Sequence, residues 1–147
     1  MKKVIGGFLI FVFIFMAFQV SRWHHQSIER ICAQKIMLQQ EIRHYKLIRE
    51  IIRRESSGSH YGVWGDNGTS YGLCQFKQKT FRYYADKVYK MPWLVWQNPR
   101  DQVELMDRMI RDGYGPREWS TYEDAERTVV MAEYAQARCN YRTGAPK

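Results

Sequence analysis

A single carboxylate, Glu55, stands at the boundary between a helix-like segment and a glycine-rich loop that reads ESSGSHYGVWGDNGTSYGLCQF from Glu55 to Phe76. The preceding residues 27–54 contain no proline or glycine and repeat apolar side chains at intervals of three, four and seven, which is helical periodicity. Ser56, Ser57 and Gly58 favour a helix cap and a turn. The pattern therefore predicts that Glu55 lies in or beside the last turn of a helix.

A carboxyl group at that position has a chemical use. The C-terminal end of a helix is the negative end of its dipole, so the field there favours the protonated form of a carboxyl group. Burial against aromatic neighbours acts in the same direction, and both effects suit a general acid. The alternative is an exposed Glu55 that forms a surface ion pair with Arg53 or Arg54.

The loop after Glu55 has the composition of a small β structure. Residues that favour strands alternate with glycines between Tyr61 and Phe76, which predicts an irregular hairpin with a tight turn at Asn67-Gly68. Glycines let the backbone of such a loop approach a ligand closely. Asp66 alone supplies too few carboxylates for a calcium loop.

Length and charge limit the classes of function. A chain of 147 residues holds one ordinary domain, and its net charge of +8 favours an anionic partner such as nucleic acid, acidic lipid or an anionic wall polymer. The cysteines, Cys32, Cys74 and Cys139, have no C-x-x-C spacing, so a Cys74–Cys139 bridge and inert buried thiols both stay open. The histidines have no metal-ligand pattern, and we expect no metal and no cofactor.

The first residues resemble an export segment. Lys2 and Lys3 precede an uncharged apolar run, Val4 to Phe18, and no A-x-A cleavage site follows it. We therefore expect a signal anchor or transmembrane segment at residues 1–21, with the following domain on the outer side of the membrane, or secreted if the segment is cleaved. Residues 22–41 form a helical stalk or linker, and residues 42–147 form the domain.

Beyond the loop the sequence predicts a small helical domain. We expect helices at residues 80–89, 100–111 and 123–138, with a break at Met91-Pro92-Trp93 and a cap at Ser120 or Thr121 before the last helix. For Trp93, Trp96 and Trp119 we favour packing in the core or at an interface over stacking on sugars.

Three short motifs carry a family resemblance. They resemble the E-S, W-G-D-x-G and G-L-M-Q signature of the lysozyme-like superfamily, in particular the goose-type lysozymes and the soluble lytic transglycosylase family, and they lie at residues 55–58, 64–68 and 71–76. Residues 98–102, and Asp112-Gly113 with Trp119, match more loosely, so that the resemblance covers about residues 42–144.

The resemblance implies a fold and a site. The fold would be mainly α, of the α+β lysozyme-like kind, with a small irregular β-hairpin beside a cleft and an N-terminal membrane helix before the domain. Glu55 would be the acid that protonates the glycosidic oxygen between N-acetylmuramic acid and N-acetylglucosamine, and later the base. Substrate contacts would come from the backbone or side chains of Ser56, Asp66, Tyr71, Gly72 and Gln75.

The chain departs from the family pattern at two positions. Cys74 stands where the family often has methionine, and both side chains are apolar enough to lie against the floor of a cleft. Cys139 occupies the position of a family tyrosine whose hydroxyl approaches the catalytic carboxyl. Tyr141 could take that role only if the backbone is shifted.

The choice of reaction depends on a second carboxylate. Two-carboxylate glycosidases place it roughly 5 to 9.5 Å from the acid. Asp66 is the nearby candidate, and Lys77-Gln78-Lys79 stands where goose-type lysozymes have a further aspartate. We therefore expect a peptidoglycan lytic transglycosylase that forms 1,6-anhydromuramyl ends, because an intramolecular hydroxyl needs no positioned water. The alternatives are a hydrolytic muramidase and a non-catalytic peptidoglycan-binding module. The export segment argues against nucleic acid as the partner.

Overall fold

A computed structural model describes the backbone of residues 2–143 and the side chains of residues 15, 16 and 18–138. The chain divides into two compact units, Met1–Ile42 and Arg43–Lys147. The first helix, α1, runs over Lys2–Ser56. In the first unit its described apolar side chains, among them Ile31 and Leu38, are exposed.

The described residues contain no helix with both the length and the apolar character needed to cross a membrane. Most side chains of the segment predicted as an anchor, residues 1–21, lie outside the described residues. The anchor therefore stays a prediction.

The second unit consists of short helices around a small sheet. After α1 come three two-residue strands, β1 (Trp64–Gly65), β2 (Ser70–Tyr71) and β3 (Phe76–Lys77). The helices that follow are α2 (Gln78–Arg82), which continues as a π-helical turn (Tyr83–Val88), α3 (Pro99–Arg111), α4 (Gly115–Glu118) and α5 (Tyr122–Thr143).

The sheet is antiparallel with strand order β1-β2-β3, and Trp64 pairs with Tyr71 while Tyr71 also pairs with Phe76. A single 3₁₀ turn, Asp66–Gly68, joins β1 to β2, and Asn67 in it has a left-handed φ of 55°. The hairpin turn is thus where the sequence predicts it. The sequence did not predict the third strand, because no second turn signal and no apolar alternation mark residues 76–77 as a separate strand.

Two-residue strands provide few ladder hydrogen bonds, and the backbone between β2 and β3 is held by side chains instead. The donors and acceptors come from α1, from α3 and from the loops beside them. Leu73 N–H donates to His60 Nδ1 (3.0 Å) and Cys74 N–H to Gln102 Oε1 (3.0 Å), while the carbonyls of Leu73, Cys74 and Phe76 accept from Ser56 Oγ (2.8 Å), Trp119 Nε1 (2.9 Å) and Trp96 Nε1 (2.9 Å).

The core lies between the sheet and these helices. Its fully buried side chains include Ile51 from α1, Phe81 from α2 and Leu105 from α3. Trp96 and Trp119 are buried, in agreement with the packing role predicted for them, whereas Trp93 is 67% exposed.

The predicted fold class is confirmed at the coarse level of a mainly helical protein with a small antiparallel sheet. The helix predicted at residues 80–89 differs in detail, since only Gln78–Arg82 is α-helical and the chain then widens into the π-helical turn. In that turn Tyr84 and Ala85 are both buried, so the wider turn lets two consecutive side chains enter the core.

Gln102 on α3 is fully buried and holds three backbone groups at once. Besides accepting from Cys74 N–H, its amide donates to the carbonyls of Tyr71 (3.1 Å) and Trp96 (2.7 Å). Its substitution would leave all three groups buried without this partner.

We expect Gln102→Leu to lower the free energy of unfolding by about 3 kcal/mol, because unsatisfied buried polar groups cost about 1 to 3 kcal/mol each. The measurement is chemical denaturation of the full-length chain. Gln78→Leu, the same exchange at an exposed position of α2, is the control and should change stability by less than about 0.5 kcal/mol. Equal stabilities of the two variants would contradict this role of Gln102.

Candidate functional site

A cavity of about 420 Å³ in the second unit is lined by three carboxylates, Glu55, Asp66 and Glu118. Gln75 and Lys77, from the end of the glycine-rich loop and β3, also line it. The cavity thus joins the end of α1, the hairpin turn and the end of α4. It is predominantly polar, which suits a hydroxyl-rich ligand.

Glu55 occupies the last turn of α1, as the sequence predicts. The helix stops there because Ser57 adopts a left-handed φ of 55° and donates its N–H to the carbonyl of Arg53 (3.1 Å). The hydroxyl of Thr121, just before α5, donates to Glu55 Oε1 at 2.6 Å. This contact fixes the orientation of the carboxyl group of Glu55, which lines the cavity.

The surface ion pair considered for Glu55 is made by a different glutamate. Arg53 Nη2 and Arg54 Nε both contact Glu50 Oε1, at 2.7 Å and 3.0 Å. The hydrogen bond from Arg53 lowers the pKa of Glu50 against the opposing effect of burial. The two arginines are therefore engaged one turn away from Glu55.

Cys74 precedes the cavity-lining Gln75 in the chain and is a free and fully buried thiol. Burial, followed by the negative charge of Glu55, raises the pKa of the Cys74 thiol well above its ordinary value. The thiol therefore stays protonated near neutral pH and is no nucleophile. Of the two alternatives for Cys74, a bridge to Cys139 and an inert buried thiol, the structure shows a free buried thiol. Its place against the floor of a cleft stays a prediction.

The two faces of the hairpin are different. Gly65 and Ser70, which pair across β1 and β2, line the cavity, whereas Trp64 and Tyr71 point to the opposite face. A Cβ atom on Gly65 would collide with Gln75 Oε1, so a larger residue there would displace the Gln75 side chain from its present position. Once the pairing of the strands is known, the alternation of side chains along each strand explains which residues lie on each face.

Gln75 is fixed in the cavity by its own loop. Its Nε2 donates to the carbonyls of Gly72 (2.7 Å) and Val63 (3.3 Å), and its Oε1 accepts from Ser70 Oγ (3.0 Å). Gln75 and Asp66 both have left-handed backbone conformations, with φ of 52° and 47°. Such conformations cost energy in residues other than glycine and are concentrated at functional sites.

The structure brings together three of the predicted site residues, Glu55, Asp66 and Gln75. It places Tyr71 on the other face of the hairpin. The hydroxyl of Ser56 donates to backbone carbonyls behind the cavity, at Ile52 (3.0 Å) and Leu73 (2.8 Å).

Gly72 has a φ of +82°, and a Cβ there would lie 2.7 Å from Gln102 Nε2, so its role here is to permit the turn. The side chain of Tyr141 lies outside the described residues, as does that of Cys139. The contact of Tyr141 with Glu55 therefore stays a prediction.

Sequence reasoning did not identify Glu118 or Lys77 as site residues. Glu118 Oε1 accepts from the hydroxyl of Tyr84 (2.7 Å) and contacts Arg117 Nε (3.3 Å). Burial and then this hydrogen bond raise the pKa of Tyr84 to about 12, so its hydroxyl remains a donor. Glu118 belongs to no recognisable motif, and only the packing of α4 brings it to the cavity.

Lys77 Nζ pairs with Asp66 Oδ2 at 3.1 Å across the mouth of the hairpin. Both side chains are more than half exposed, so the pair contributes little to stability.

Within the described part of the chain, no three His, Cys, Asp or Glu side chains are grouped so that they could hold a metal ion.

The resemblance to the lysozyme-like superfamily depends on the short motifs at residues 55–58, 64–68 and 71–76. No family model, curated protein or solved structure matches this chain.

Proposed function

We propose that this protein is a peptidoglycan lytic transglycosylase, which cleaves the β-1,4 bond between N-acetylmuramic acid and N-acetylglucosamine and forms 1,6-anhydromuramyl ends. The observation that carries the proposal is Glu55 at the end of α1, held by Thr121 in a polar cavity beside Asp66 and Gln75. The motif resemblance at residues 55–58, 64–68 and 71–76 supplies the substrate class.

Glu55 acts first as the acid and then as the base. Its proton passes to the glycosidic oxygen as the bond from C1 of the muramic acid residue to that oxygen breaks, and the N-acetyl group of the same sugar assists. The 6-hydroxyl oxygen then bonds to C1 and gives its proton to Glu55. The enzyme returns to its starting state without consuming water, and the attacking hydroxyl benefits from being in the same molecule.

The state of the other two carboxylates favours this reaction over hydrolysis. Asp66 pairs with the ammonium group of Lys77, and Glu118 accepts a hydrogen bond from Tyr84 and contacts Arg117. These contacts occupy carboxylate oxygens that a base would turn toward a water molecule. Hydrolytic muramidase remains the second candidate, because Asp66 and Glu118 line the same cavity as Glu55. A non-catalytic peptidoglycan-binding module is the third.

The cellular setting follows from the N-terminal segment. We propose that residues 1–21 anchor the chain in a membrane and that the domain acts on peptidoglycan strands on the outer side. No nucleic acid and no cofactor take part in the proposed reaction.

We expect Glu55→Gln to reduce the release of anhydromuropeptides from purified peptidoglycan by at least about 100-fold, because the amide has no proton to donate to the glycosidic oxygen. The products are separated by chromatography and identified by mass spectrometry. Glu50→Gln, one turn earlier on α1 and outside the cavity, is the control and should retain activity. A Glu55→Gln variant that still forms anhydro ends would exclude Glu55 as the acid.

Thr121 is a positioning residue in this mechanism, since it acts through Glu55. Loss of its hydroxyl in Thr121→Val should lower kcat by about tenfold, the equivalent of one hydrogen bond, with KM changed much less. Thr121→Ser keeps the hydroxyl and should restore most of kcat. If the serine variant were as slow as the valine variant, the contact with Glu55 Oε1 would not be the cause.

Lys77→Met tests whether its pairing with Asp66 suppresses hydrolysis. Without the ammonium group, Asp66 Oδ2 is open to accept a hydrogen bond from a water molecule and to orient it, so the ratio of reducing ends to anhydro ends should rise several-fold. Mass spectrometry distinguishes the two ends, which differ by one water. Lys79→Met, at a neighbouring exposed position, should leave the ratio unchanged. An unaltered ratio in Lys77→Met would remove Asp66 from consideration as a water-activating base.

A further inference from the structure

A second concave surface lies on the opposite side of the hairpin from the cavity. Gly62, Trp64, Tyr71, Trp96 and Gln97 line it, and we call it the reverse-face groove. Its volume is about 360 Å³. None of the site residues argued above to act in catalysis belongs to it.

Three aromatic rings form the wall of the reverse-face groove. The centroid of the Trp64 ring lies 4.8 Å from that of Tyr71 and 6.1 Å from that of Trp96. The ring centroids of Tyr71 and Trp96 are 5.5 Å apart. Trp96 is buried and its Nε1 donates to the carbonyl of Phe76, so it is a fixed support. Trp64 is 56% exposed and offers its ring to solvent.

The chemistry of the groove suits an uncharged ring-shaped ligand. Among the described residues, those that line the groove carry no charge, although the whole chain has a net charge of +8. Gln97 is the polar side chain beside the rings. Aromatic walls with a few polar groups are typical of ligand sites, and the apolar face of a sugar ring packs well on an exposed indole.

The groove is also close to the cavity along the chain. Trp64 and Tyr71 alternate with Gly65 and Ser70 on the same two strands, and each strand is two residues long, roughly 7 Å. The cavity and the reverse-face groove therefore share the β1–β2 hairpin, and a polymer is long enough to contact both of its faces. A small ligand confined to the cavity would not use both faces.

We propose that the reverse-face groove is a second glycan-binding site, in which Trp64 stacks on a sugar ring of a peptidoglycan strand that also occupies the cavity. The identity of the ligand rests on the function proposed above. The second site would keep the enzyme bound to the polymer between cleavage events, because the strand stays attached at Trp64 when the cavity releases its product.

The test measures binding in full-length protein that carries Glu55→Gln, so that the glycan is not consumed. Cosedimentation with insoluble peptidoglycan and calorimetric titration with chitohexaose, a hexamer of N-acetylglucosamine, are the two measurements. We expect Trp64→Ala to raise the apparent Kd by about fivefold to tenfold in both, because the stacking surface is lost. Trp64→Phe keeps an aromatic ring and should retain most of the affinity.

Trp93→Ala is the matched control, because Trp93 is comparably exposed at 67% and lies outside the groove. It should bind as the parent does, and melting curves of all variants check that they fold. Binding by Trp64→Ala that equals the parent would overturn the proposal. So would binding of a polyproline peptide that is lost in Trp64→Ala while chitohexaose does not bind at all.

The outcome is separable from that of the catalytic proposal. If the chain with Glu55 intact releases no muropeptides but Trp64→Ala still loses peptidoglycan binding, the groove is supported and the transglycosylase is not. If muropeptides are released and Trp64→Ala binds normally, the groove fails alone.

Discussion

The constraint on which the second unit depends is the shortage of backbone hydrogen bonds in its sheet. Three strands of two residues each cannot satisfy the turn between β2 and β3, and buried polar backbone groups must find partners. Side chains from the surrounding segments supply them: Ser56, His60, Trp96, Gln102 and Trp119. The sheet is therefore held against α1, which carries Glu55, against α3, and against the segment between α4 and α5 that contains Trp119 and Thr121.

The same constraint separates the motif residues that support the loop from those that line the cavity. Ser56 ties the end of α1 to the loop carbonyl of Leu73, and Gly72 makes room for Gln102, so both support the site from behind. Gln75 has both functions. Its side-chain amide donates to the carbonyl of Gly72, which closes the loop, and the same side chain lines the cavity. A motif that resembles a catalytic signature is thus partly a description of how a very small sheet is kept folded.

The electrostatics of the cavity are set by partners that come from separate elements. Glu55 receives a hydroxyl from before α5, Asp66 an ammonium group from β3, and Glu118 a phenol from the π-helical turn. Three carboxylates in one cavity would otherwise repel one another and resemble one another chemically. The different partners give the three carboxylates different surroundings, which is the condition that the acid role proposed for Glu55 requires.

The sequence by itself determined that α1 ends within a residue of Glu55, that the hairpin turns at Asn67-Gly68 and that the rest is mainly helical, because caps, glycines and apolar periodicity act over a few residues. It also identified Asp66 and Gln75, which the cavity contains. The tertiary structure alone decided that Tyr71 faces away from the cavity. A shift of one residue in the strand pairing would move its side chain to the other face of the sheet. The tertiary structure alone also brought Thr121 and Glu118 to the site, because contacts between residues far apart in the chain arise from helix packing and leave no local pattern.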